Sequence, residues 1–426
     1  MVLAIGAIFI FGYLAIAFEH SLKLDKAASA LITGVLCWVV YIVLTPDKAG
    51  VNEQLLMHLS DVSSILFFLM GAMTIVELID AHDGFDFINT IITTTNKKKL
   101  IWIIGLITFF LSSVLDNMTT TIVIVSLLRK LIKNSNDRLM FVGVVIIAAN
   151  AGGAWTPIGD VTTTMLWIGG QITTVNIMMK MILPSLACLI IPLLFVSLGL
   201  KGEVVSPVSQ NPQNESVVTR RHQLIVLASG IMVLLLVPVF KMVTHLPPFM
   251  GMLLGLGLLW IVTLVLHRSK EPEQKGKLSV SQALQRIDMP SVLFFLGILL
   301  AVSALQSTGI LTGLASKLTA SIGNINVIVM SIGLLSSVID NVPLVAAAQG
   351  MYGLSIYPVD HYFWEFLAYS AGTGGSVLII GSAAGVVAMG MEKISFGWYL
   401  KKITLLALVG FFAGSFVYIL EGLLFF

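Results

Sequence analysis

The chain reads as an all-α polytopic membrane protein of two inverted-topology repeats, five spans each, every repeat carrying a re-entrant hairpin and an interrupted helix. Three observations predict this. First, 57% of the 426 residues are hydrophobic, 11% are charged and the mean hydropathy is +0.98, so apolar runs recur throughout and no soluble domain is long enough to fold alone. Second, Leu111-Ser-Ser-Val-Leu-Asp-Asn-Met returns as Leu335-Ser-Ser-Val-Ile-Asp-Asn-Val, both inside apolar runs. Third, the 24 Lys and Arg residues sort onto one face only if those two runs enter and leave the membrane on the same side.

In chain order, spans are expected at 2–18, 27–44, 61–80, 139–170, 177–199, 223–240, 249–267, 291–308, 362–392 and 403–425. Each matches the ~20 apolar residues that cross roughly 30 Å of hydrocarbon. Residues 1–18 lack a basic start and a small-residue cleavage site, so they read as a span and not a signal peptide. The segments 100–128 and 323–352 carry the Asp-Asn pairs. As one helix, 100–128 would be about 44 Å long, too long for an ordinary span; folded at Asp116-Asn117 it gives arms of roughly 24 and 18 Å. With both segments as hairpins, 20 of the 24 basic residues share a face and only Lys48, Lys180, Lys241 and Lys317 fall opposite; with both crossing, the split is 11 to 13. The first hairpin then enters from the basic, cytoplasmic face and the second from outside.

The repeat extends past the hairpins. Asp61-Val-Ser-Ser-Ile-Leu-Phe-Phe answers Asp288-Met-Pro-Ser-Val-Leu-Phe-Phe, and Asn150-Ala-Gly-Gly answers Ser370-Ala-Gly-Thr-Gly-Gly. The expected division is a first repeat at 1–200, a polar cytoplasmic linker at 201–222 and a second repeat at 223–426. Two stretches should be unwound at mid-membrane: Ala149–Asp160, with three glycines and Pro157, and its counterpart Ser370–Ser376. Hairpin tips and helix breaks then converge, the usual position of a transporter's site.

The chemistry there is rich in oxygen. Asp116, Asp160 and Asp340 offer carboxylates, Asn117, Asn150 and Asn341 amides, and Thr162, Thr163, Ser370 and Ser376 hydroxyls, while Ser112 and Ser336 lie one turn before the tips. Hard cations favour such ligands, and carboxylates also take protons because desolvation disfavours their charged form. No Lys or Arg lies in these segments, so an anionic substrate finds no cationic residue in them. A monovalent cation exchanging with H⁺ is the better fit, held at Asp116, Asp160 and Asp340. No cofactor is expected beyond the transported ions, and the net charge of +2 gives no reason to expect a nucleic-acid partner.

Blander roles compete. Asp61 and Asp288 begin their spans and read as caps. Glu77 either snorkels to water or serves proton access. Glu19, His20 and Lys26 read as interfacial ion pairing, and Cys37 and Cys188 as small buried hydrophobes. Two other functions stand beside exchange: an anion or metalloid carrier of the same fold, and an intramembrane aspartyl protease, which would release a cleaved peptide.

Gly12-Tyr-Leu-Ala-Ile-Ala-Phe-Glu-His, Gly71-Ala-Met-Thr-Ile-Val-Glu-Leu-Ile-Asp-Ala-His, Asn150-Ala-Gly-Gly-Ala-Trp-Thr-Pro-Ile-Gly-Asp-Val-Thr-Thr and the two Asp-Asn phrases resemble NhaD-type sodium/proton antiporters over essentially the whole chain. That family belongs to the ion transporter superfamily, beside arsenite, citrate and dicarboxylate carriers. The resemblance implies Na⁺ or Li⁺ exchange for H⁺ in a bacterial inner membrane, pH and sodium homeostasis, and a homodimer of scaffold and transport domains. It implies important roles at Ser112, Asp116, Asn117, Asn150, Asp160, Thr162, Thr163, Ser336, Asp340 and Asn341, and by a weaker match at Ser370, Ser376 and Ser382.

Overall fold

The structure is a computed structural model and describes residues 1–426 apart from 18, 87, 89–91, 93, 205–217, 269–274, 277 and 426, so most of the expected linker 201–222 lies outside the described residues. What is described is helical, with one isolated antiparallel bridge between Asn96 and Glu203. Among the described residues eight helices are long and apolar enough to cross a membrane: Lys26–Leu44, Lys48–Ala81, Ser135–Ala154, Thr174–Gly199, Arg220–Thr244, Pro248–Leu266, Met289–Ser307 and Thr404–Leu424. A ninth possibility is the pair Ile310–Ile322 and Ile325–Leu335, which meet at 120°. The bend falls at Gly323, whose φ of +68° lies in the left-handed region that suits glycine.

Both Asp-Asn segments break into two helices at the Asp-Asn pair. Helix Lys97–Ser112 ends four residues before Asn117–Leu131 begins, and Ile325–Leu335 is followed by Asn341–Met351. Asp116 and Asp340 stand at the N-caps of the second arms, where their carboxylates accept backbone N–H groups that have no partner inside the helix. The interrupted helices are Ser135–Ala154 with Val161–Ile168, and Tyr362–Gly374 with Ala383–Glu392.

Three expectations need correction. The breaks begin later than composition suggests: helix persists to Ala154 and to Gly374, so Asn150 and Ser370 are helical and the irregular stretches are 155–160 and 375–382. The glycines in these helices serve close approach instead. A Cβ at Gly152 would collide with the Phe109 carbonyl, and one at Gly374 with the Gly333 carbonyl. Asp61 does not begin a helix. It is exposed within the 34-residue helix Lys48–Ala81, whose start is capped by Asp47 accepting from Gly50 N at 3.0 Å. With no proline between Lys48 and Ala81, the helix runs through a position that the repeat alignment made a boundary. Asp288, its counterpart, does cap, accepting from Ser291 N at 3.3 Å.

The two halves are packed into one body. Helix Lys26–Leu44 lies along Met289–Ser307 in the same direction, with Gly34 and Gly297 backbone to backbone and the Trp38 indole donating to the Leu300 carbonyl at 2.9 Å. Glu392 binds Arg129 Nε at 2.6 Å and Arg138 Nε at 2.8 Å. This joins the end of Ala383–Glu392 to helix Asn117–Leu131 and to the start of Ser135–Ala154.

Candidate functional site

The centre is built from local caps that reach one another. Asp116 accepts from Thr119 N at 2.7 Å and Thr119 Oγ1 at 2.5 Å. Asp160, fully buried, caps Val161–Ile168, its Oδ1 accepting from Thr162 N at 2.8 Å and Thr162 Oγ1 at 2.7 Å. Its Oδ2 accepts from Asn117 Nδ2 at 2.8 Å, and the same amide donates to Asn150 Oδ1 at 2.9 Å. Asn150 Nδ2 in turn donates to Ser376 Oγ at 2.8 Å and Ser382 Oγ at 2.9 Å. One chain of hydrogen bonds thus runs from the first Asp-Asn segment through Asp160 and Asn150 to the second break.

Both amide protons of Asn117 and of Asn150 are committed. Asn117 Oδ1 accepts no hydrogen bond among the described residues, which leaves an acceptor beside the cavity that Asn117 lines. That cavity, of about 60 Å³, is lined by Asp116, Asp160, Asp340, Asn117, Asn341 and Thr164. It is large enough for an ion with residual water. Two buried hydroxyls predicted from the sequence, Thr163 Oγ1 and Ser370 Oγ, have no hydrogen-bond partner among the described residues, and neither residue lines that cavity.

Ser112 and Ser336 play matching local parts. Ser112 Oγ donates to the Ala149 carbonyl at 2.6 Å, and Ser336 Oγ to the Ala371 carbonyl at 2.9 Å and its own helix at Gly333 at 2.8 Å. Ser112 thus ties the first Asp-Asn segment to Ser135–Ala154, and Ser336 ties the second to Tyr362–Gly374. Glu77 lies away from the centre, in a second cavity of about 250 Å³, 3.4 Å from Arg286. The two cavities share Met73, Val76 and Met118, so a short apolar neck separates them. Beyond the end of the helix that carries Glu77, partial burial and the neighbouring Asp86 hold the Asp83 carboxyl above its ordinary range.

No three acidic, His or Cys side chains among the described residues gather into a metal cage. An ion here would therefore take its carboxylates singly, together with amide and hydroxyl oxygens.

The chain matches the family model described as Citrate transporter, CitMHS, over residues 13–364. The chain belongs to this family. It is also 50% identical to Sodium/proton antiporter 1 of Arabidopsis thaliana over 98% of its length and 72% of that protein's, and 50% identical to Sodium/proton antiporter 2 of the same plant over 96% and 97%. It is 30% identical to the Na⁺/H⁺ antiporter NhaD of Vibrio cholerae over 92% of its length and 86% of that protein's. The protein accordingly stands among transporters and not among proteases.

Sequence reasoning missed three participants. Thr119 is legible afterwards as the last residue of an Asp-Asn-x-Thr cap. Glu392 was passed over, although an acid at the end of an apolar half-helix needs a partner. Lys26, assigned to interfacial pairing, lines the central cavity with the three aspartates. Its signal was position: a cation in the first turn of a helix opposes the macrodipole.

Proposed function

We propose that this chain is a secondary transporter that exchanges Na⁺ or Li⁺ for H⁺ by alternating access, with cation and protons competing for the buried carboxylates. The observation that carries this reading is the buried Asp160, joined through Asn117 and Asn150 to both helix breaks. The relatives named sodium/proton antiporters support the ions. A second reading, a carboxylate carrier, draws on the family's description and on Lys26. Three aspartates against one lysine leave the cavity acidic, however, and an acidic cavity favours a cation. No resident cofactor enters this scheme.

The inverted repeats with re-entrant hairpins form part of the proposal. The matched Ser112–Ala149 and Ser336–Ala371 contacts support a duplication. Cross-element pairs also respect the sides that the basic residues imply: Lys97 with Asp137 on one face, Lys180 with Glu365 on the other. Single cysteines replacing Lys98 and Asn134 should both react with an impermeant thiol reagent from the cytoplasmic side, and labelling from opposite faces would sink the hairpin. A bacterial inner membrane is supported by the bacterial NhaD relatives, although the two relatives at 50% identity are from a plant. The homodimer rests on the resemblance.

Fluorescent-dye dequenching in everted vesicles tests the exchange, with Na⁺, Li⁺ and K⁺ added in turn. Protons and sodium that share ligands compete, so the apparent KM for Na⁺ should rise as pH falls, with the maximal rate still approached at saturating sodium. A KM constant across about two pH units would require separate pathways.

A further inference from the structure

Lys26 belongs to neither hairpin and neither interrupted helix, yet it borders two cavities. One is the central cavity with Asp116, Asp160 and Asp340; the other, of about 100 Å³, contains Tyr13, Glu19 and again Asp340. Asp340 is the carboxylate common to both. The Lys26 ammonium sits 4.9 Å from the centre of the Phe294 ring and makes no ion pair among the described residues. The helix is capped by Asp25, which accepts from Ala27 N at 2.7 Å, and a positive charge in the first turn works against the helix dipole. A flexible four-carbon stem with a point charge suits a group that changes partners, and an aromatic face offers a second, weaker resting place.

We propose that Lys26 is the built-in counter-cation of the transport site. Its ammonium pairs with Asp340 when that carboxylate holds neither sodium nor a proton, and sodium binding releases it to Phe294. Phe294 gives the ammonium one resting place, and Asp340 borders the same two cavities. Sodium therefore binds against an internal competitor, and the empty site is never a bare negative charge at membrane depth. No bond is made or broken, and Lys26 stays protonated throughout. It is a positioning and affinity-setting residue of the exchange proposed above, and it rests on that reading.

The test is binding of ²²Na⁺ to the purified full chain at one fixed pH, alongside exchange in vesicles. Lys26→Met keeps the stem and removes the competitor, so its sodium Kd should fall by roughly tenfold, as expected when a charge pair at a partly wet site is lost. Lys26→Arg keeps the charge and should stay near the wild-type Kd. A readout on the unmutated protein stands apart from folding of the variants: modification of Lys26 by a small amine-reactive reagent, quantified by mass spectrometry, should increase when sodium is added. An unchanged Kd in Lys26→Met, or modification indifferent to sodium, overturns the proposal while wild-type exchange persists. A wild-type chain that neither binds nor exchanges sodium removes the antiport reading, and the proposal with it.

Discussion

Asp116→Asn, Asp160→Asn and Asp340→Asn should each abolish sodium-dependent proton movement in vesicles while the protein still inserts and folds. Asparagine caps a helix as well as aspartate does, so the bonds to Thr119, Thr162 and Val342 can be kept. What is lost is the charge. A desolvated cation deprived of one charged ligand is underpaired by about 3 kcal/mol or more, which is over a hundredfold in affinity. Asp160→Asn carries an extra penalty of about 1–3 kcal/mol, because its new amide confronts Asn117 Nδ2 unless both reorient. Near-normal exchange at low sodium in any variant would reduce that aspartate to a cap.

Glu392→Ala should lower stability more than any substitution outside the centre, by about 3 kcal/mol, seen as a lower midpoint in thermal unfolding of the detergent-solubilised protein. The Glu392 side chain is 2% exposed and holds Arg129 and Arg138 together. Removing it leaves two guanidinium groups facing each other across three elements. Arg129→Ala should do much less, because Arg129 is 47% exposed and Arg138 keeps its bond. Equal midpoints for Glu392→Ala and wild type would mean that the cluster holds nothing together.

Much of the fold was legible because its signals are local. Apolar runs of membrane length, the turn at each Asp-Asn pair and the capping carboxylates of Asp116, Asp160 and Asp340 depend on residues within three or four positions. Glycine was harder to read. Gly152 and Gly374 looked like helix breakers, yet they sit inside helices because a neighbouring backbone passes where a side chain would be. A glycine that relaxes its own backbone and one that admits another's have the same letter. Asp61 misled for a related reason, since a cap needs a helix start and Asp47 had already supplied one.

The sequence by itself determined the class, the order of the elements and the polar residues available for a cation, since hydropathy and helix chemistry act along the chain. The tertiary structure decided which of those residues meet. Asn150 reaches Ser376 across 226 positions, Asn117 is turned by two acceptors so that its oxygen lacks a donor, and the first turn of Lys26–Leu44 brings Lys26 to the edge of an acidic cavity. Such contacts follow from how helices pack, where a residue's partner is fixed by crossing geometry and not by spacing along the chain.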